Sequence, residues 1–277
     1  MDRSLIFLFS ILGIFIRTSL SKLYSKSPDF PSQVYYQILG CFLLGFISRN
    51  KLYLSQHLYD GLSIGLCGSI TSFSTFILSA FNLFIQKQAF SAIVLLINVL
   101  SCSFSFYKIG CNISLERFSR CKFLDWTLND RILNSLIAVS FLTTVITFIS
   151  LASLGNTYLT IFIIGPFGSL IRSELLIFNT SNFPRGTLYS NFFATVLLSI
   201  ILTVSYFTTM PCFVFDAFTE GICGCLSTIS TFMKELDELD TQNAIIYFSM
   251  SIIVCLGSIL VISGIPFLLT NAQRICT

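Results

Sequence analysis

Apolar runs of about 20 residues recur along the chain, the helical length needed to cross the hydrocarbon core of a bilayer. They predict nine membrane-spanning helices, at about 4–21, 33–49, 60–84, 89–107, 133–153, 158–176, 187–207, 217–235 and 243–269. One substantial polar segment interrupts them, from Cys111 to Arg131, carrying Glu116, Arg117, Arg120, Lys122, Asp125, Asp130 and Arg131. It reads as a linker between the fourth and fifth spans, with Trp126 as an interfacial anchor. No small-residue cleavage site follows the first run, which is therefore read as a span and not as a signal peptide.

Two spans break the apolar pattern in the same way. Gly65-Leu66-Cys67-Gly68-Ser69-Ile70-Thr71-Ser72-Phe73-Ser74-Thr75-Phe76 returns as Gly221-Ile222-Cys223-Gly224-Cys225-Leu226-Ser227-Thr228-Ile229-Ser230-Thr231-Phe232, an offset of 156. Such a glycine-broken, hydroxyl-rich run survives at membrane depth only where it is buried in protein or lines a polar cavity. Two further landmarks repeat in the same order. Gly13-x-x-x-Arg17 matches Gly168-x-x-x-Arg172, and Gln33-x-x-x-Gln37 matches Thr187-x-x-x-Asn191. The chain thus divides into a first repeat (1–110), a linker with its own span (111–154) and a second repeat (155–277). Each repeat has four spans, so the extra fifth span inserts the second upside down. The predicted fold class is an all-α polytopic membrane protein of two inverted four-helix repeats, each with a broken third helix.

Composition agrees with the pattern. Hydrophobic residues make up 54% of the 277 and charged residues only 10%, against roughly 25% charged in a soluble domain. A net charge of +3 with no basic run excludes a nucleic-acid partner and leaves the lipid bilayer as the surroundings. The ten cysteines include Cys41, Cys67, Cys102, Cys223 and Cys255 inside apolar spans, where they act as small polarizable side chains. With the N-terminus cytoplasmic, ten lysines and arginines fall on the inner side and four on the outer, which sets the predicted orientation.

Polar side chains at membrane depth need a partner or a water-filled path. Thr187 and Asn191 lie one helical turn apart, as do Tyr247 and Ser251, with Cys255 a turn further. All can donate hydrogen bonds and none is a cation, a lining suited to a small, strongly hydrated anion and unsuited to a metal. Interhelical hydrogen bonding is the plain alternative for any one of them; the set, aligned with the glycine breaks, favours a pathway. Phe73, Phe76 and Phe232 end the two motifs, and aromatic ring edges are positive. Arg17 and Arg172 are intramembrane guanidiniums at equivalent positions, read first as structural. Where the helices break, the carbonyls of Gly68, Thr71, Gly224 and Ser227 lose their usual partners, and two such sets meeting at a pseudo-two-fold axis could coordinate one hard monovalent cation. His57, the single histidine, sits in a loop, which argues against a hydrolase, since a hydroxyl nucleophile or a zinc site normally needs one. The chain reads as no enzyme.

These residues resemble the CrcB/Fluc fluoride channel family, and the two-repeat layout resembles its eukaryotic branch of fluoride exporters. The first repeat carries Gly-x-Cys-Gly-x-x-Thr-x-Phe-Ser-Thr-Phe nearly complete, the second Gly-x-Cys-Gly-x-x-Ser-x-Ile-Ser-Thr-Phe, and Gly186-Thr187 to Asn191 matches a third element. The resemblance implies passive, selective fluoride export across the plasma membrane along phenylalanines and a polar track, with a structural Na⁺ at the centre. It also implies a monomer, because the fused repeats replace a homodimer. This chain departs from the family pattern at Gln37 for asparagine, Ile229 for phenylalanine, and Ser79 for the acidic residue present as Glu235. One working and one degenerate pore are therefore expected. The working one is assigned Asn191, Thr187, Tyr247, Ser251, Phe73, Phe76, Phe232 and Glu235, the degenerate one Gln37 and Ile229. An inverted-repeat secondary transporter for another small anion or metabolite is the competing reading, and a non-conducting scaffold a further one.

Overall fold

A computed structural model describes residues 3–24, 32–114 and 156–270. The expected fifth span, Trp126 and nearly all of the linker lie outside the described residues. Every main element is helical. In the first repeat α1 is Arg3–Leu23, α2 is Gln33–Arg49, and α3 begins at Gln56–Asp60. The α3 segment widens into a π-helical stretch, Gly61–Cys67, and ends in the turn Gly68–Ile70. Helix α4 is Phe73–Ile85 and α5 is Ala89–Cys111. In the second repeat α6 is Asn156–Leu175 and α7 is Arg185–Phe207. Helix α8, Cys212–Asp216, continues through the π-helical Ala217–Cys223 to Gly224–Leu226. Helix α9 is Ser230–Glu238, and α10, Thr241–Ile259, runs on to Thr270.

Among the described residues, seven helical segments are long and apolar enough to cross a membrane. The expected span at 33–49 is the 17-residue α2, about 26 Å long and slightly shorter than those seven. Apolar side chains point outward from α5 and α10, where Phe90, Ile97, Ile253 and Val261 are exposed. That is the surface a lipid-facing helix presents, since lipid and not water is its solvent.

Small residues let the helices meet closely, as membrane helices do where no hydrophobic effect drives them together. A Cβ on Gly13 of α1 would lie 2.6 Å from the Leu66 carbonyl oxygen, and one on Gly168 of α6 would lie 2.3 Å from that of Ile222. The two contacts are equivalent, so each repeat seats its first helix against its own π-helical stretch through a glycine.

The repeats join through their breaks. Thr71 and Ser72 are extended (φ −92°, ψ 150° and φ −146°, ψ 122°), and Ser227 matches (φ −90°, ψ 157°). Across the centre, Thr71 Oγ1 lies 3.2 Å from Thr228 Oγ1, and Ser72 Oγ lies 3.2 Å from Ser227 Oγ. Thr71 Oγ1 accepts from the Ser230 N–H at 3.1 Å, and Ser227 Oγ accepts from the Ser74 N–H at 3.0 Å. Residue i of one repeat meets residue j of the other, and j meets i, which is the signature of a two-fold contact.

Candidate functional site

A break at membrane depth exposes backbone groups that no water can satisfy, and each orphan costs several kcal/mol. Amide side chains from α2 and α7 take them up in matching fashion. Gln37 Nε2 donates to the Ser72 carbonyl at 2.7 Å while its Oε1 accepts from the Ser72 N–H at 3.1 Å. Asn191 Nδ2 donates to the Thr228 carbonyl at 3.2 Å while its Oδ1 accepts from the Thr228 N–H at 2.8 Å. Gln37 is thus the structural twin of Asn191 at the break, whatever else separates the two halves.

The arginines cross over. Arg172 Nη1 donates to the Gly68 carbonyl at 2.9 Å and to that of Ser227 at 3.2 Å, and Nη2 donates to the Ile64 carbonyl. Arg17 Nη2 reaches the carbonyl of Glu220, the counterpart of Ile64, and Nε lies 4.0 Å from the Glu220 carboxylate. Each guanidinium binds the π-helical stretch of the other repeat. Two of the four carbonyls expected to hold a cation, those of Gly68 and Ser227, therefore already face a positive group. The set does not fit a sodium ion as it stands.

On one side of this centre the expected pathway residues converge. Phe73 and Phe76 meet edge to face at 5.9 Å, Phe73 meets Phe232 at 5.5 Å, and Phe232 meets Tyr247 at 5.0 Å. All four rings are buried, and all three phenylalanines, from both repeats, fall on the Tyr247 side. Tyr247 donates to Glu235 Oε2 at 2.7 Å, and Thr187 donates to Glu235 Oε1 at 2.5 Å. Ser251 donates back to the Tyr247 carbonyl at 2.7 Å.

Below Thr187 runs a column of hydroxyls. Thr187, Asn191, Thr195 and Ser199 recur every fourth residue on α7, all buried, so they share one face. Thr195 donates to the Asn191 carbonyl and Ser199 to that of Thr195, both at 2.7 Å. Ser263 then donates to the Ser199 carbonyl at 2.8 Å, and Thr203 Oγ1 donates to the Ser263 hydroxyl at 3.1 Å. Sixteen residues from Thr187 to Thr203 rise about 24 Å, most of the hydrocarbon thickness. Opposite, α10 buries Tyr247, Ser251 and Cys255. The first repeat has no continuous hydroxyl series on its matching α2 face. Its α2 buries Gln33, Gln37, Cys41 and Gly45 on the matching face, and α5 buries Ala92, Leu95 and Val99, then Ser103 and Tyr107. Ile229, at the place Phe73 holds in the first repeat, is buried in the core.

At the Glu235 end lies a cavity of about 260 Å³, lined by Tyr59, Asp60, Ser63, Asn179, Lys234 and Glu235 among others. Lys234 donates to the Tyr59 hydroxyl at 3.0 Å and lies 3.7 Å from Glu238. Asn191 is not among the lining residues; Thr187, bonded to Glu235, bridges cavity and column. Sequence reasoning missed Thr195, Ser199 and Ser263, although the four-residue spacing from Thr187 signalled the first two. It also missed Asn179, for which no pattern in the sequence gives a signal.

The fold and this lining define a multi-spanning helical membrane protein with two repeats around one buried polar column. The chain belongs to the family described as CrcB-like protein, Camphor Resistance (CrcB), which matches residues 4–111 and again 159–265. It is 26% identical to Fluoride export protein 1 of Candida albicans over 92% of this chain and 77% of that protein. With Fluoride export protein 1 of Neurospora crassa the identity is 25% over 94% of this chain and 65% of that protein. Fluoride-specific ion channel FluC 2 of Staphylococcus haemolyticus is 36% identical over 32% of this chain and 74% of its own length. No solved structure matches the chain significantly.

Proposed function

We propose that this protein is a passive fluoride export channel of the plasma membrane, with the working path along the α7–α10 column and a degenerate counterpart beside α2 and α5. One observation carries the reading: a series of buried donors, Thr187 to Ser263, stands against a ring cluster, whereas the matching face of α2 carries Cys41 and Gly45 where α7 has Thr195 and Ser199. The names of the relatives on both sides of the comparison, exporters and fluoride-specific channels, agree with it.

Fluoride is small and holds its water strongly, so a dry path must replace that water with N–H and O–H donors. Hydroxyls serve because each can rotate its proton away from a backbone carbonyl and toward a passing anion. Ring edges of Phe73, Phe76 and Phe232 add weak positive potential without binding tightly. A path without fixed cations lets the ion leave as readily as it enters, the condition for conduction. A membrane potential negative inside then drives the anion outward without ATP.

The inverted arrangement of the repeats, the cytoplasmic N-terminus and the monomeric state belong to this proposal. The two-fold contacts between the breaks, the lysine and arginine distribution and the fusion of two repeats support them in turn. The site residues assigned from the sequence enter the reading in the same way. No step is routed through a central sodium ion, because Arg172 engages the Gly68 and Ser227 carbonyls that such an ion would need.

Purified protein in liposomes, followed with a fluoride electrode, tests the proposal. Rapid fluoride efflux with little chloride efflux is expected. Liposomes that hold both anions as tightly as protein-free ones would rule the channel out.

A further inference from the structure

The loop between α6 and α7 supplies a residue that the pathway reading leaves without a task. Asn179 follows the 3₁₀ turn Leu176–Phe178 and lies just past the end of a membrane-spanning segment. Its Nδ2 donates to Glu235 Oε1 at 2.8 Å and to Thr187 Oγ1 at 3.2 Å. Its Oδ1 accepts from the Thr187 N–H at 3.1 Å, near the start of α7. Tyr247 takes the other carboxylate oxygen from the opposite side. The loop is itself braced: the Thr180 N–H donates to the Phe183 carbonyl at 3.2 Å, and the Phe183 N–H donates to Thr180 Oγ1 at 3.2 Å. The Phe183 ring meets Tyr247 edge to face at 5.5 Å.

We propose that Asn179 is a positioning residue for Glu235, tying its carboxylate to Thr187 and Tyr247 at the head of the hydroxyl column and holding it on the cavity wall instead of across the cavity. Two more acids, Asp60 and Glu238, line that cavity, with Lys234 as its cationic group. A carboxylate that swung among them would set a third negative charge across the route of an incoming anion. Held by Asn179, Thr187 and Tyr247, it is instead matched by three donors and stays on the cavity wall. Asn179 thus has two separable jobs, since Oδ1 caps α7 and Nδ2 holds the acid.

The inference deepens the channel reading and rests on it only for the flux measurement. In the purified full-length protein, Asn179→Asp keeps the acceptor for the Thr187 N–H and removes the donor to Glu235. Glu235→Gln supplies a new amide on the other side. Combining the two exchanges donor and acceptor across the pair, so the hydrogen bond can form again with roles reversed. Each single variant is expected to lower the thermal unfolding midpoint by about 3–8 °C, the scale of one hydrogen bond to a charged group, and the double variant is expected to recover at least half of the summed loss. A double variant that falls by the full sum of the singles overturns the proposal, because a residue acting only through the cap shows no such rescue. In liposomes, Asn179→Asp is expected to slow fluoride efflux about tenfold, and parent-like efflux counts against the proposal. If the parent itself passes no fluoride, the channel reading fails, and the midpoint rescue still decides the role of Asn179.

Discussion

Replacing Gln37 with leucine separates a fold-holding role from a pore role at one position. The sequence places Gln37 where a pore asparagine is expected and so assigns it to a degenerate path, where a change should be nearly silent. The structure gives it another task, because both polar groups of the Ser72 backbone bond its side-chain amide. Leucine has a similar size and no donor or acceptor. It leaves a buried N–H and a buried carbonyl orphaned at a depth where water cannot replace the amide, since Ser72 is fully buried. One such orphan costs about 1–3 kcal/mol. Burying leucine in place of an amide offsets part of the sum, which leaves about 2–4 kcal/mol. For a chain of this size that is a fall on the order of 5–15 °C in the unfolding midpoint.

The buried thiols of Cys41, Cys67 and Cys223 offer the readout, because a thiol-reactive dye reaches them only on unfolding. Asn191→Leu should fall by a similar amount through Thr228. The two then part company in flux: folded Gln37→Leu protein should pass fluoride at the parent rate, and Asn191→Leu should not. A Gln37→Leu midpoint within about 3 °C of the parent, beside a large fall for Asn191→Leu, would refute the shared clamp.

Four further outcomes follow from the same geometry. Asn191→Asp should cut fluoride efflux more than tenfold, since it exchanges the donor to the Thr228 carbonyl for a buried charge of the same sign as the ion; the electrode trace reads this directly. Thr195→Val and Ser199→Ala should each slow efflux severalfold with the midpoint moved by less than about 5 °C, because their own bonds are local back-bonds to the preceding turn. A Cβ on Gly68 would lie 2.2 Å from an Arg172 nitrogen, and one on Gly224 would lie 2.7 Å from an Arg17 nitrogen. The long side chains can swing aside, but Arg172 would abandon three carbonyls, so Gly68→Ala should destabilise by about 3–5 kcal/mol and exceed Gly224→Ala in a thermal scan. Asp240 accepts from the Asn243 N–H and side-chain amide at the start of α10, which holds its carboxyl below the ordinary value. A lowered value stabilises the folded state at higher pH, so this cap is complete above about pH 4 and is lost as acidification passes the lowered value. Amide exchange near Asn243 should rise accordingly, and Asp240→Asn should remove that pH dependence.

Much of this was legible in the sequence because the bilayer makes such simple demands. Spans announce themselves as apolar runs, and the eight predicted spans within the described residues coincide with helices to within a few residues. The breaks were legible for the converse reason: glycine and clustered hydroxyls inside such a run need a partner. What the sequence could not place was anything that depends on which elements cross. That Arg172 caps the first repeat and Arg17 the second follows from packing between segments more than 100 residues apart. That three phenylalanines gather on one side follows from α4 lying against α10. Asn179 carries no periodicity at all, because a loop residue acquires its role only when the chain folds it back over α7 and α9.

The placement of matched and unmatched residues explains how one chain can be symmetric and lopsided at once. Arg17 and Arg172, Gln37 and Asn191, and Thr71 and Ser227 are equivalent residues of the two repeats, each bonded at or beside a break. Each satisfies backbone that the breaks leave open, and an orphan on either side is expensive in hydrocarbon. Both halves are therefore bound to retain this set for stability alone. The column residues carry no such burden. Thr195 and Ser199 bond within their own helix, so cysteine and glycine at the matching places of α2 leave no group unsatisfied. One lining can then lose its donors while the scaffold stays whole. A second polar column is not needed to keep the first in shape, whereas a second break is.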